Sequence, residues 1–138
     1  MGEDQKKKVL VVDDEPDVIT YLETLLSDHG YAVISARNGK EGLEKARQEK
    51  PDLVSLDISM PEESGVRCYR DIKEDPDLAN TPVIMVTAVT GHGGDPGVFE
   101  KFISSRKQVP PPDGFFSKPI DKAAYLEKVA EVLGSTSV

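Results

Sequence analysis

The chain has 138 residues, of which 38% are hydrophobic and 30% charged, and these values suit one globular domain with a single core. Its formal net charge of −8 argues against direct nucleic acid binding, because affinity for the phosphate backbone comes from clustered Lys and Arg. The hydrophobic runs are too short to span a bilayer, and the charged N-terminus lacks the apolar stretch of a secretory signal. We therefore expect a cytoplasmic protein that does not insert into membranes.

Cys68 is the only cysteine in the sequence. One cysteine excludes an intrachain disulfide and a cysteine-based zinc site. Its possible helpers in catalysis are His29 and His92, neither of which has a partner that suggests a metal site or a phosphohistidine. We interpret Cys68 as a small helix residue and not as a nucleophile.

Short apolar runs alternate with helical patterns along the whole chain. The first helix is predicted between Pro16 in its first turn and Gly30 at its end, and the last begins at the N-cap Asp121 and ends at Gly134. Because parallel strands need crossover connections, this alternation predicts a mainly parallel sheet with helices on both faces. The predicted strands are residues 9–12, 31–35, 53–57, 83–87 and 115–117, and the other predicted helices are residues 39–49, 65–74 and about 96–107.

Polar residues stand at the ends of four predicted strands. Asp13 and Asp14 follow the first strand, and Asp57, Thr87 and Lys118 end the third, fourth and fifth. In open α/β sheets ligands bind outside the carboxyl ends of the strands. Three carboxylates, a hydroxyl and an ammonium group should therefore meet at one rim of the sheet.

Crowded carboxylates repel one another and raise one another's pKa unless a cation neutralises them. Mg²⁺ is the natural candidate, because it prefers oxygen ligands and usually takes one or two carboxylates directly. A carboxylate can also act as a nucleophile and form an aspartyl phosphate. A metal ion, a lysine and a hydroxyl can together neutralise the oxygens of a transferring phosphoryl group.

Four short motifs occur in order along the chain. Together they resemble the receiver domain of two-component response regulators, over roughly residues 7–133, with residues 1–6 and 134–138 as tails. The resemblance implies a flavodoxin-like, doubly wound (βα)5 fold with a five-stranded parallel sheet in the order 2-1-3-4-5. The motifs are Val-Val-Asp13-Asp14-Glu15-Pro16, Leu-Asp57-Ile-Ser-Met60-Pro61, Val-Thr87-Ala88 and Lys118-Pro119.

The resemblance also implies roles for the acidic residues. Asp57 matches the position of the phosphoacceptor and contributes to the metal site. Asp14 and the backbone carbonyl of Ser59 match direct Mg²⁺ ligands, whereas Asp13 would bind the metal largely through water. The purely structural alternatives are that Asp14 caps the following helix and that Asp57 is an ordinary loop carboxylate. Only the convergence of these residues with the others at the rim favours the functional interpretation.

The remaining motif positions would bind the phosphoryl group. By the resemblance, Lys118 pairs with it, and Thr87, followed by Ala88, binds it after transfer. Phe115 is either the aromatic residue that turns inward when Thr87 moves or a buried strand aromatic. The Lys118–Pro119 bond is a candidate cis peptide, an isomer that costs only roughly 0.5–1 kcal/mol before proline.

The sequence therefore predicts a receiver that takes a phosphoryl group from a sensor histidine kinase onto Asp57 in a Mg²⁺-dependent reaction. It would signal to an unknown downstream protein through the face formed by the fourth strand, fourth helix and fifth strand, as a monomer or weak homodimer. The glycine- and proline-rich segment 88–114 makes this face unusually elaborate. Self-catalysed phosphorylation and dephosphorylation would be its only chemistry, so we do not expect an enzyme.

Three alternatives remain open at the level of the sequence. The chain could pass its phosphoryl group to a histidine phosphotransfer protein, or dock to partners without phosphorylation. It could also be a Mg²⁺-dependent phosphatase, although Ile58-Ser59 follows Asp57 where phosphatases with this chemistry carry a second aspartate two residues on.

Overall fold

The computed structural model describes residues 7–57, 64–88, 113–118 and 120–134. For residues 64–66, 87, 88, 115, 117 and 118 it describes the backbone alone. The strands are β1 (Lys8–Val12), β2 (Ala32–Ala36), β3 (Leu53–Asp57), β4 (Val83–Ala88) and β5 (Gly114–Lys118). The helices are α1 (Pro16–Asp28), α2 (Gly39–Glu49), α3 (Ser64–Glu74) and a C-terminal helix (Lys122–Leu133).

The five strands form one parallel sheet in the order β2-β1-β3-β4-β5. The predicted α/β architecture with a parallel sheet is confirmed, and the strand order is the one that the resemblance implies. β3 lies in the middle of the sheet, where it is paired with β1 and β4 on either side. The predicted helix at about 96–107 lies outside the described residues.

Two apolar layers cover the sheet, because alternate residues of each strand point to opposite faces. One layer packs against α2 and α3 and includes Val54 and Leu56 of β3. The other packs against α1 and the C-terminal helix and includes Leu53 of the same strand. By this alternation Ser55 and Asp57 belong to the face of Leu53, on the side of α1 and the C-terminal helix.

The helix ends follow the predicted capping chemistry. The side chain of Asp121 accepts a hydrogen bond from the backbone N–H of Ala124 at 3.1 Å, so the predicted N-cap is confirmed. Gly134 ends the C-terminal helix with a left-handed φ of 66°. Within the described parts of the chain, no helix has the length and apolar character needed to cross a membrane.

Candidate functional site

Two neighbouring strands bring acidic residues to the same edge of the sheet. β1 pairs with β3 so that Val12 lies opposite Leu56, and the next residue on each strand is an aspartate. The backbone N–H of Asp13 donates to the carbonyl of Ala36 at 3.1 Å, which extends the contact between β1 and β2 by one residue. Backbone pairing therefore places Asp13 and Asp57 side by side at this edge of the sheet.

Asp13 also holds the turn that leads into α1. Its Oδ1 accepts a hydrogen bond from the backbone N–H of Glu15 at 2.9 Å. Such a bond from a side chain to the backbone two residues on is the usual way in which aspartate stabilises a turn. The turn keeps the Asp13 carboxylate beside the sheet, where only 2% of the residue is exposed.

The carboxylates of Asp13, Asp14 and Asp57 form a compact cluster. One ligand oxygen of each lies within 4.8 Å of the others. Asp13 and Asp57 are each only 2% exposed, whereas Asp14 is exposed. Buried like charges at this separation favour a bound cation, and hard oxygen donors with one open side suit Mg²⁺, which keeps waters or phosphate oxygens in its remaining positions. The three residues thus fit a magnesium ion.

The alternative role of Asp14 as a helix cap does not match the geometry. The N-cap position of α1 belongs to Glu15, and its side chain makes no capping hydrogen bond. Pro16 supplies the first turn without needing a partner for a backbone N–H. The cluster therefore does not arise merely from capping α1.

The backbone also brings the ends of β4 and β5 to this rim. Asp57 pairs with Val86, the residue before Thr87, and Ala88 pairs with Lys118. The side chains of Thr87, Ala88 and Lys118 lie outside the described part of the structure, so their predicted contacts remain predictions. The same holds for the ring of Phe115, the carbonyl of Ser59 and the Lys118–Pro119 bond.

The sequence does not predict one polar contact that lies beneath the site. The hydroxyl of Tyr125 donates to Oγ of Ser55 at 2.7 Å, and both residues are buried. The available signal was a serine interrupting an apolar strand. Its partner could not be identified, because the two residues are 70 positions apart.

Cys68 has the environment of a structural residue. It is 2% exposed in the layer between the sheet and α3. Burial, with a smaller contribution from the negative charge of Asp71, raises the pKa of its thiol to about 12. Because the thiolate is the nucleophilic form, this side chain is unreactive near neutral pH.

Comparison with known proteins agrees with the geometry. Residues 9–130 match the response regulator receiver domain. Protein PilH of Pseudomonas aeruginosa is 35% identical over 126 residues, which cover 91% of this chain and 97% of PilH. The polar-differentiation response regulator DivK of Brucella anthropi is 33% identical over 128 residues, covering 93% of this chain and 97% of DivK.

Similarity extends to solved structures. The chemotaxis response regulator CheY4 of Vibrio cholerae superposes with a TM-score of 0.75 at 25% identity, over 93% of this chain and 99% of that one. Agreement over almost the full length of both chains supports a flavodoxin-like arrangement of the parallel sheet and its helices.

Proposed function

This chain belongs to the response regulator receiver domain family, and on that premise we propose that Asp57 accepts a phosphoryl group in a Mg²⁺-dependent reaction. The observation that carries the proposal is the clustering of Asp57 with Asp13 and Asp14 within 4.8 Å. A buried carboxylate at a strand end, next to two further carboxylates, is suited to attack phosphorus only when a cation offsets the negative charge of the cluster. The receiver would occupy residues 7–133.

The proposed step is a direct phosphoryl transfer. A carboxylate oxygen of Asp57 forms a bond to phosphorus while the bond from phosphorus to the donor breaks, and the donor leaves with that electron pair. When bound, magnesium would offset negative charge on the carboxylates and on the phosphoryl oxygens. Asp14 and the carbonyl of Ser59 would hold it directly, and Asp13 largely through water.

Residues at the ends of the other strands would complete the site. We expect Lys118 to pair with the phosphoryl oxygens and Thr87 to donate a hydrogen bond to them, with Ala88 beside it. The pairing of Ala88 with Lys118, and of Asp57 with the residue before Thr87, is the backbone basis for this expectation. Phe115 would respond to movement of Thr87.

The donor would be a sensor histidine kinase, since family members receive their phosphoryl group from such kinases. The imidazole of a phosphohistidine donor is a good leaving group when its other ring nitrogen is protonated, because it then departs with the electron pair as a neutral ring. The chain would then signal to a downstream protein and would lose its phosphoryl group by hydrolysis, without turning over a separate substrate.

Intact mass measurement tests this proposal. The protein is incubated with acetyl phosphate and Mg²⁺, and we expect addition of one phosphoryl group. When EDTA replaces Mg²⁺ in the incubation, no phosphoryl group should be added. Asp57→Ala should not be modified, whereas the matched control Asp28→Asn, an exposed aspartate at the end of α1, should be modified like wild type. Equal modification of Asp57→Ala would contradict the assignment.

A further inference from the structure

A hydrogen bond between two buried side chains joins β3 to the C-terminal helix. Tyr125 exposes 0% and Ser55 2% of its surface, and their hydroxyl oxygens are 2.7 Å apart. A buried hydroxyl without a partner is strongly destabilising, so each of these residues favours the position in which it meets the other. The bond therefore favours one position of the helix along β3.

Ser55 lies close to Asp57 on the same strand. The two residues are separated by one position on β3 and lie on the same face of the strand, about 6–7 Å apart along the chain. β3 is held by hydrogen bonds to β1 and β4 on its two sides, so its carboxyl end moves as part of the sheet. A displacement of Asp57 would therefore be expected to move Ser55 as well.

Tyr125 contacts a second strand of the rim. Its ring meets the ring of Phe116 edge to face, with centroids 5.7 Å apart and planes at 66°. Phe116 lies on β5, two residues before Lys118. One rigid side chain therefore touches both the strand that ends in Asp57 and the strand that ends in Lys118. Aromatic side chains suit this role because they have few torsions and preferred ring geometries.

We propose that the Tyr125–Ser55 hydrogen bond makes the C-terminal helix respond to occupancy of the Asp57 site, an inference that rests on the proposed function. A ligand shifts a conformational equilibrium only as far as it favours one arrangement over another. Here the favoured arrangement of the strand ends is tied to one position of the helix through a directional bond. Tyr125 is thus a positioning residue that acts through Ser55 and does not touch the phosphoryl group.

An apolar pair at these positions would fill similar space but would lack the directional hydrogen bond. Replacing both partners of a buried hydrogen bond by apolar groups of similar shape is close to neutral for stability. The double variant Ser55→Ala/Tyr125→Phe should therefore fold while lacking the directional contact. This separates a coupling role from a purely structural one.

Hydrogen exchange of the C-terminal helix measures the coupling. Full-length protein is loaded with Mg²⁺ and beryllofluoride, a phosphoryl mimic, and exchange is followed for the amides of Lys122–Leu133. In wild type we expect loading to slow exchange around Tyr125 by about threefold or more. In the double variant and in Tyr125→Phe this slowing should be lost.

Val129→Ala is the matched control. Val129 is fully buried on the same helix and in the same apolar layer, but its substitution leaves the Tyr125–Ser55 contact in place. This variant should exchange faster overall and still respond to loading. If it loses the response as completely as Tyr125→Phe does, general loosening of the helix explains the effect and the coupling proposal is overturned.

Loading of the site is monitored separately through the amides of β1 and β3 next to Asp13 and Asp57. If both proteins load and the helix responds equally in wild type and in the double variant, the coupling alone is overturned. The same holds if wild type loads and its C-terminal helix does not respond. Failure to load wild type at all, with no protection at these strand ends, contradicts the proposed function, and the coupling inference falls with it.

Discussion

The carboxylates of Asp13 and Asp57 lie within 4.8 Å of each other although each residue exposes only 2% of its surface. Their positions follow from the parallel pairing of β1 and β3, which sets Val12 opposite Leu56. Two buried like charges at this distance oppose folding unless something offsets them. A divalent cation bound at this rim would offset the repulsion between the carboxylates.

Mg²⁺ should stabilise the folded protein through this cluster. At a concentration one hundred times its Kd, the free energy of unfolding should rise by about 2.7 kcal/mol. Urea denaturation at constant ionic strength, adjusted with NaCl, measures the change. Asp57→Asn should lose most of the gain and Asp28→Asn should keep it. An equal gain in Asp57→Asn would place the stabilising ion elsewhere.

The buried bond between Tyr125 and Ser55 should be visible in a double-mutant cycle. Tyr125→Phe leaves the Ser55 hydroxyl buried without this partner and should lower the free energy of unfolding by about 1–3 kcal/mol. Ser55→Ala should have an effect of similar size. The double variant should lose far less than the sum of the two single losses, because neither hydroxyl is then left buried without its partner, and the coupling should be about 1–3 kcal/mol. Simple additivity in urea unfolding would argue against a direct energetic interaction.

Cys68 should make the protein sensitive to alkaline pH. Its pKa is raised from 9.0 to about 12 by burial, so the unfolded chain releases the thiol proton before the folded protein does. This contribution to stability is complete below pH 9 and is lost as pH rises from 9 towards 12. The loss should approach about 1.4 kcal/mol per pH unit.

Urea unfolding between pH 8 and 10 tests this expectation. Tyr69 and Tyr125, whose pKa values burial raises above 10.0, contribute most of their own loss of stability above pH 10. The free energy of unfolding of Cys68→Ala should decline less steeply over this interval. The cavity that the substitution leaves changes the absolute stability but not this slope. An unchanged slope would show that other groups cause the alkaline loss.

Gly42 should be intolerant of a side chain. A Cβ at this position would lie 3.0 Å from Cγ2 of Val12, a buried residue next to Asp13. Alanine is the better helix former by about 1 kcal/mol, but crowding of a packed core typically costs about 1–3 kcal/mol. We expect Gly42→Ala to destabilise the protein in urea unfolding, and Val12→Ala in the same chain to recover part of the loss. A more stable Gly42→Ala would show that Val12 can move aside freely.

The acidic rim was predictable because Asp13 and Asp57 each directly follow a mainly apolar run, and parallel strands end at the same edge. Strand boundaries were less accurate. The sequence predicts Tyr31 in the second strand, but the N–H of Tyr31 donates to the carbonyl of Leu26 and closes the end of α1, so β2 begins at Ala32. β5 begins earlier than predicted because Asp113 bonds through its backbone N–H to the carbonyl of Val83 and brings Gly114 into the sheet.

The Tyr125–Ser55 contact was not predictable for a different reason. In the sequence, Tyr125 belongs to the apolar stripe of an amphipathic helix, and Ser55 is one small residue in a buried strand. Periodicity indicates which face is buried but not which hydroxyls meet across it. That pairing depends on how the C-terminal helix lies on β3, which is a tertiary property.

The most direct test of the central claim is to locate the acyl phosphate chemically. Protein treated with acetyl phosphate and Mg²⁺ is reduced with borohydride, which converts an aspartyl phosphate to homoserine, and the peptides are sequenced by mass spectrometry. We predict homoserine at residue 57, dependent on Mg²⁺ and on the phosphodonor. Homoserine at Asp13 or Asp14 instead, or its absence from residue 57 in protein that has gained a phosphoryl group, would contradict the account.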